Sequence, residues 1–417
     1  MTRHYSALSV LKEGLNGQKG WAQAWRSPSL ADRYDVVIIG GGGQGLATAY
    51  YLAKTHGVKR IAVIERGWLG GGNTGRNTTA IRSNYYYPES TELYDLSLRL
   101  YETLGKELNY NIMLSQRGMM QIVSSPAEME MAARQVNAMQ VNGVEAELLS
   151  RAEVQRRVPI YNYAPDARYP VYGAIYQARA GVARHDAVAW GYARAADSLG
   201  VDILQQCEVQ GFIVEAGRCV GVQTSKGEIR AERVGMVVAG SSGVMAEKAG
   251  FRLPITSYTL QACVSEPVKP IFDTVLVSPM TGTYVSQSDK GEMVIGGGLD
   301  RVPSYGQRGN LPQLETVLSG LLEMFPIFRQ LRLLRQWGGT VDVTPDSSPI
   351  FGESPLPGLF INGGWGTGGF KAIPAGGTLF AHILATGGHH PISRPFDLNR
   401  FRTGHLLDEA AGAGIAH

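Results

Sequence analysis

Residues 34–65 read YDVVIIGGGGQGLATAYYLAKTHGVKRIAVIE. Residues 34–39 are a short β-branched run of the kind that forms a strand buried on both faces of a parallel sheet. Residues 46–56 place Leu46, Ala49, Tyr50 and Ala53 on one helical face. Residues 60–65 give a second strand. Strand, helix and strand within about thirty residues make a βαβ unit. Between the first strand and the helix, Gly40, Gly42 and Gly45 stand in the GxGxxG pattern. Gly40 permits the tight turn, Gly42 lets the backbone approach a pyrophosphate, and Gly45 lets helix and strand pack closely. The helix N-terminus then offers free N–H groups and partial positive charge to phosphate. Glu65, about twenty residues past Gly45, is placed to accept hydrogen bonds from a ribose diol. A glycine-rich structural turn with a surface glutamate is the plainer alternative, and the full context disfavours it. The fold class is therefore α/β, with a Rossmann-like dinucleotide domain.

The pattern does not by itself separate a nicotinamide from a flavin dinucleotide. The next segment, 67–86, reads GWLGGGNTGRNTTAIRSNYY. Such a loop, following the ribose-binding acid, suits a second pyrophosphate and flavin clamp better than an ordinary crossover helix. Arg82 within it has the geometry to pair bidentately with a carboxylate, or else to make an exposed salt bridge. Near the other end, 361–377 reads INGGWGTGGFKAIPAGG, a strand, a glycine loop and a helix start. That helix N-terminus suits the negative charge of a reduced flavin ring. Lys371 at this turn is a candidate cation for a substrate carboxylate or flavin, against the alternative of a solvated loop lysine.

The intervening chain alternates. Helices are expected over 90–108, 126–142, 186–200 and 311–334, and from about 374. Residues 255–300 suit an antiparallel substrate sheet. The domains are expected to be discontinuous: an extension over 1–30, a cofactor domain from 31–115, 165–255 and 335–417, and a substrate domain from 116–164 and 256–334. Trp21 and Trp25 in the extension suggest packing on a partner or on the body.

Composition narrows the classes. The chain has 417 residues, 44% hydrophobic, with 39 Lys plus Arg against 36 Asp plus Glu. That balance argues for neither nucleic acid nor an anionic membrane. Cys207, Cys219 and Cys263 lack metal-ligand spacing and suggest a reducing, cytoplasmic setting. No apolar run is long enough to span a bilayer.

His185 opens the 186–200 helix within ARAGVARHDAVAW. It could cap the helix, bind a metal, act as a base or anchor a flavin, and the residues alone favour a structural histidine. Arg179 and Arg184 nearby could accompany a phosphate.

Four separated segments, GGGGQGLATAYYLA, GRNTTAIRSNY, GVARHDAVAW and NGGWGTGGFK, resemble in order the beta subunits of heterotetrameric sarcosine oxidases, and the ending FRTGHLLDE matches as well. The resemblance implies a glutathione-reductase-type FAD domain joined to an antiparallel-sheet substrate domain. It implies noncovalent FAD, and covalent FMN on the residue matching His185, lying against a larger alpha subunit. That alpha subunit would bind NAD and tetrahydrofolate, and small gamma and delta subunits would complete the assembly. The implied reaction is oxidative demethylation of sarcosine at FAD. Electrons pass to FMN and dioxygen, giving glycine, formaldehyde or methylene-tetrahydrofolate, and hydrogen peroxide. Carried over as FAD contacts are Gly42, Gly43 and Gln44 on the turn, Glu65 on the ribose, and Asn73, Thr74, Arg76 and Thr78 in the clamp. Val209 matches an adenine-side contact, and Gly366, Gly369 and Lys371 match flavin-side ones. Arg82 and Lys371 match the pair that holds the substrate carboxylate in the related monomeric enzymes. Where those enzymes carry a second basic residue, this chain has Thr79. Related readings are a proline, opine or dimethylglycine dehydrogenase subunit, an electron-transfer subunit without its own substrate site, or an NAD-dependent dehydrogenase.

Overall fold

Strand Arg33–Ile39 lies inside an eight-stranded sheet in the computed structural model, which describes residues 6–20, 23–85 and 87–407. It pairs in parallel with Ile61–Ile64 on one side and Gly227–Met236 on the other. Asp202–Leu204 and Leu359–Gly363 extend the parallel set, and Ile350–Glu353 adds an antiparallel edge. Val37 and Ile38 are both fully buried, so both faces of the strand are covered, and its unbroken apolar run needs no alternation.

The helix after the strand runs Gly43–His56, three residues earlier than expected from periodicity. The glycines of the turn themselves enter the helix. Gly42 caps it without a side-chain hydrogen bond, so first-turn N–H groups beyond that of Gly43, which Thr74 accepts, remain available to a ligand. Gly57, at φ +68°, ends it. Helices Pro88–Glu107, His185–Ser198 and Ile373–Thr386 share a core with Gly43–His56 over this face of the sheet. Trp25 packs on that core; Trp21 lies outside the described residues.

The second eight-stranded sheet runs Leu333–Val343, Thr256–Pro267, Glu292–Leu299, Thr283–Gln287, Val275–Ser278, Met119–Val123, Gly173–Gln177, Glu147–Ser150. All its pairings are antiparallel except Val275–Ser278 with Met119–Val123. Helices Arg151–Arg157 and Leu311–Met324 cover it, burying Val154, Val317, Leu321 and Met324 against Met120, Val285 and Ile295. Two strands fall on the other side of the expected division. Gly173–Gln177 is buried at every residue between two partner strands of this sheet, and Leu333–Val343 pairs along Thr256–Pro267. The expected helix over 311–334 also stops at Met324. Phe325 precedes Pro326 and takes φ −139°, because the proline ring excludes a helical residue before it. A short 3₁₀ turn, Pro326–Gln330, then leads into the strand.

A two-stranded ribbon, Ala80–Ile81 with Gly181–Val182, leads directly into helix His185–Ser198. Beyond the ribbon, the Ala183 N–H donates to the Thr79 carbonyl at 3.1 Å.

Candidate functional site

The first glycine turn is closed by contacts that only glycine permits. A Cβ on Gly45 would lie 2.0 Å from the Gly40 carbonyl oxygen, and one on Gly40, at φ +111°, 2.2 Å from that of Val237. Gly43 packs its Cα on Ile373 from the last long helix; a Cβ there would meet Cδ1 at 2.3 Å. Gly42 differs. Among the described residues only Thr74 Oγ1 would approach its Cβ, at 3.3 Å. Its Cα therefore faces a cavity of about 620 Å³, which Gly40, Gly43, Glu65 and Val209 also line. The Glu65 carboxylate is fixed on that wall by the N–H groups of Gly41 at 2.9 Å and Gly67 at 2.7 Å.

The clamp segment crosses from this turn to the second sheet. Thr74 Oγ1 accepts the Gly43 N–H at 3.0 Å, and Asn73 donates its amide to the Thr340 carbonyl. Arg76 donates to the carbonyls of Gly71 and Gly72 and to Gln307, while the Trp337 indole donates to the Arg76 carbonyl at 2.7 Å. Thr78 donates to the Tyr284 hydroxyl at 3.1 Å.

Gln44 joins the two glycine clusters. Its amide donates to the Gly369 carbonyl at 2.9 Å and accepts from Asn362 at 3.4 Å, and Gly376 leaves it room, since a Cβ there would sit 2.2 Å from Oε1. A second cavity, about 190 Å³, continues from the first: Gln44, Asn73, Thr74, Ala239 and Trp365 line both. Arg76, Thr78, Arg82, Gly366, Gly369 and Lys371 line the second cavity, with an apolar side formed by Met119, Val275, Val277 and Val341. The uncapped N-terminus of helix Ile373–Thr386 reaches it at Ile373.

Arg82 and Lys371 are each only 6% exposed. Arg82 donates to Asn84 at 2.7 Å and lies over the Tyr85 ring at 4.6 Å. Lys371 Nζ donates to the Thr367 carbonyl at 3.2 Å and to the Tyr85 hydroxyl at 3.5 Å, and lies over the Tyr94 ring. Tyr85 stacks on Tyr94 with centroids 3.9 Å apart. Helix Pro88–Glu107 holds this turn from behind: Ser97 donates to the Lys371 carbonyl and Tyr101 to that of Phe370, both at 2.7 Å.

Tyr85, Tyr94 and Asp342 were given no role from sequence, and Thr79 was marked by the resemblance alone. Tyr85 and Tyr94 fit ordinary core positions. Thr79 lines the cavity at φ +68°, a strained conformation for a β-branched residue; Asn77 Oδ1 accepts its N–H. Asp342 lines the cavity at 3% exposure. Burial pushes its carboxyl up to about 7, against donors from Ser242, Ser257 and Gly364. In the sequence it is merely one polar residue in a strand.

His185 lines neither cavity. It is the first residue of its helix, and its Nδ1 is buried with no hydrogen-bond partner among the described residues. Burial lowers its basicity, with Asp186 opposing and Arg184 adding to the effect. The imidazole is thus favoured neutral. Arg184 pairs with Asp186, and Arg179 with Glu102 and Asp95.

The family described as FAD dependent oxidoreductase (DAO) matches residues 35–383. The chain is 51% identical to sarcosine oxidase subunit beta of Rhodobacter capsulatus over 100% of both chains. It is 50% identical to sarcosine oxidase subunit beta of Rhizobium meliloti, over 97% of each. Among solved structures, L-proline dehydrogenase from P. horikoshii superposes with a TM-score of 0.83 at 27% identity, covering 90% of this chain and 100% of that one.

Proposed function

Because the chain belongs to the DAO family of FAD-dependent oxidoreductases, we propose that it is the subunit of a sarcosine-oxidising complex in which the N-methyl group is oxidised. The observation that carries this reading is the continuous pair of cavities. One end has the Glu65 carboxylate held by two backbone N–H groups; the other has two buried cations beside an apolar wall.

The residues fit FAD. The open Cα of Gly42 is a cradle that a side chain would fill, and the first-turn N–H groups of Gly43–His56 suit a pyrophosphate. Glu65 would hold the ribose and Val209 the adenine side. Asn73, Thr74, Arg76 and Thr78 would clamp the middle, and Gly366 and Gly369 would admit the ring. Arg82 and Lys371 would bind the substrate carboxylate and orient the N-methyl group, while Val275, Val277 and Val341 exclude water. Thr79 supplies no charge, so the amine would be oriented by the Arg82–Lys371 pair on its carboxylate and by the apolar wall. FAD supplies the two-electron acceptor, and FMN the exit toward dioxygen.

His185 suits the covalent FMN. A half-buried imidazole that is favoured neutral, its Nδ1 unpartnered among the described residues, is suited to bond formation, and only Arg184 separates it from Ala183, whose N–H donates to Thr79 on the cavity wall. An alpha subunit carrying NAD and tetrahydrofolate sites, with gamma and delta subunits, would complete a cytoplasmic heterotetramer. The three cysteines are free thiols, which agrees with that setting.

Purified complex assayed with sarcosine and with L-proline tests this reading. Sarcosine-dependent peroxide well above that from L-proline is the expected result. Peroxide from L-proline alone would reassign the substrate.

A further inference from the structure

Asp342 stands where strand Leu333–Val343 passes the second glycine cluster. Its main-chain carbonyl accepts the Gly366 N–H at 2.7 Å. Its carboxyl accepts from the Ser257 hydroxyl at 3.2 Å, with the Ser242 hydroxyl and the Gly364 backbone close enough to act on it. These neighbours belong to three separate segments: the glycine loop, strand Thr256–Pro267, and helix Ser242–Lys248. Ser257 and Ser242 also face the carbonyls of Gly240 and Ala239. Through its carbonyl and its carboxyl, one residue thus meets the glycine loop and strand Thr256–Pro267 where the two cavities join.

The carboxyl is also short of charge compensation. Oδ2 is buried with no hydrogen-bond partner among the described residues, and no charged group is among the causes acting on it. The cations of the same cavity are engaged elsewhere: Arg76 on Gly71 and Gly72, Arg82 on Asn84, Lys371 on Thr367 and Tyr85. A buried carboxylate without a counter-charge is costly, and taking up a proton is how such a group avoids that cost.

We propose that Asp342 is a positioning residue for the flavin: its main-chain carbonyl ties the glycine loop at Gly366 to the second sheet, and its carboxylic acid, held uncharged, keeps the wall beside the redox ring free of negative charge. Reduction places negative charge on the ring, and a carboxylate beside it would oppose that. Loss of the Asp342 proton therefore disfavours flavin reduction and perturbs the oxidised flavin's absorption.

This inference rests on FAD occupying the cavity, and the FAD content of the wild-type complex tests that premise separately. The experiment is a pH titration of the visible spectrum of the oxidised, FAD-loaded complex as wild type, Asp342→Asn and Ser257→Ala. Wild type is expected to show a spectral step near neutrality. Asp342→Asn keeps the shape and cannot ionise, so the step disappears while FAD stays bound. Ser257→Ala removes a donor to the carboxylate, so its step moves to higher pH. A step that persists in Asp342→Asn, that stays unmoved in Ser257→Ala, or that is absent from FAD-loaded wild type overturns the proposal. If Asp342→Asn does not assemble, wild type and Ser257→Ala still decide it.

Discussion

Arg82 and Lys371, 289 positions apart in the chain, are joined through Tyr85: the guanidinium lies 4.6 Å from the ring centroid and the ammonium 3.5 Å from the hydroxyl. One aromatic side chain therefore sets the spacing of the two cations. Lys371→Met is expected to cost about 1.5–3 kcal/mol of carboxylate binding, roughly 10- to 150-fold in apparent affinity. Stopped-flow flavin reduction against sarcosine concentration measures it. An N-methylamine lacking the carboxylate should show little change, and equal losses for both substrates would remove Lys371 from carboxylate recognition.

The glycines of the first turn should separate under mutation. Gly42→Ala places a methyl in the cavity with only Thr74 Oγ1 near, so the protein should fold with close to native Tm and bind FAD much more weakly. Gly45→Ala drives a methyl to 2.0 Å from the Gly40 carbonyl. The turn cannot yield without breaking helix–strand packing, so several kcal/mol of stability should go with the FAD. FAD absorbance and thermal unfolding, read together, distinguish the two. Equal loss of Tm in both variants would contradict the assignment of Gly42 to the ligand.

How far these features were readable from sequence follows the range of the interactions. The βαβ unit was legible because its strands, turn and helix are local and Gly45 answers to Gly40 within it; the contacts of Gly40 with Val237 and of Gly43 with Ile373 lie far along the chain and were not. The meeting of the glycine clusters was legible only as an excess of glycine at two distant places; that Gln44 makes the junction was not. Helix Leu311–Met324 was overextended because apolar residues continue past it and the restriction before Pro326 was not applied. Residues 173–177 fell in the range expected for the cofactor domain, because a buried strand between two partners carries no local mark of which sheet it joins. Asp342 was missed for a related reason: its chemistry comes from burial and from a donor, Ser257, 85 residues upstream.

His185→Ala is expected to abolish flavin fluorescence of this chain on a denaturing gel while acid-released FAD stays near stoichiometric. The contrast holds because His185 lines neither cavity. Fluorescence surviving the substitution would move the covalent link to another residue. Loss of both flavins together would point to a folding role instead.

Arg400 and Asp346 form an ion pair with side chains 3% and 1% exposed. Burial pushes the Asp346 carboxyl up, and Arg400 outweighs it, leaving the acid below its usual range. Arg400 donates at 2.7 and 3.0 Å, and the Leu407 N–H donates to the same carboxylate at 3.1 Å. Arg400→Met leaves a buried carboxylate without its counter-charge and should cost about 3–5 kcal/mol. Urea unfolding measures it. The double variant Arg400→Met with Asp346→Asn should recover part of the loss, and no recovery would assign the cost to packing alone.

Asp342 makes stability fall with pH in a defined window. Its folded carboxyl titrates at about 7, raised by burial from 3.8. Between those values the folded chain holds a proton that the unfolded chain has released, so stability declines as pH rises through the window and levels off above it. A shift of that size corresponds to at most about 4 kcal/mol, less where the loop relaxes around the charge. Asp342→Asn binds no proton in either state and should escape the decline. Unfolding of both proteins in urea at about pH 5 and about pH 8 reads the difference. The stability of Asp342→Asn relative to wild type should rise between the two, and a gap unchanged with pH would mean that the acid ionises in the fold as readily as in the unfolded chain.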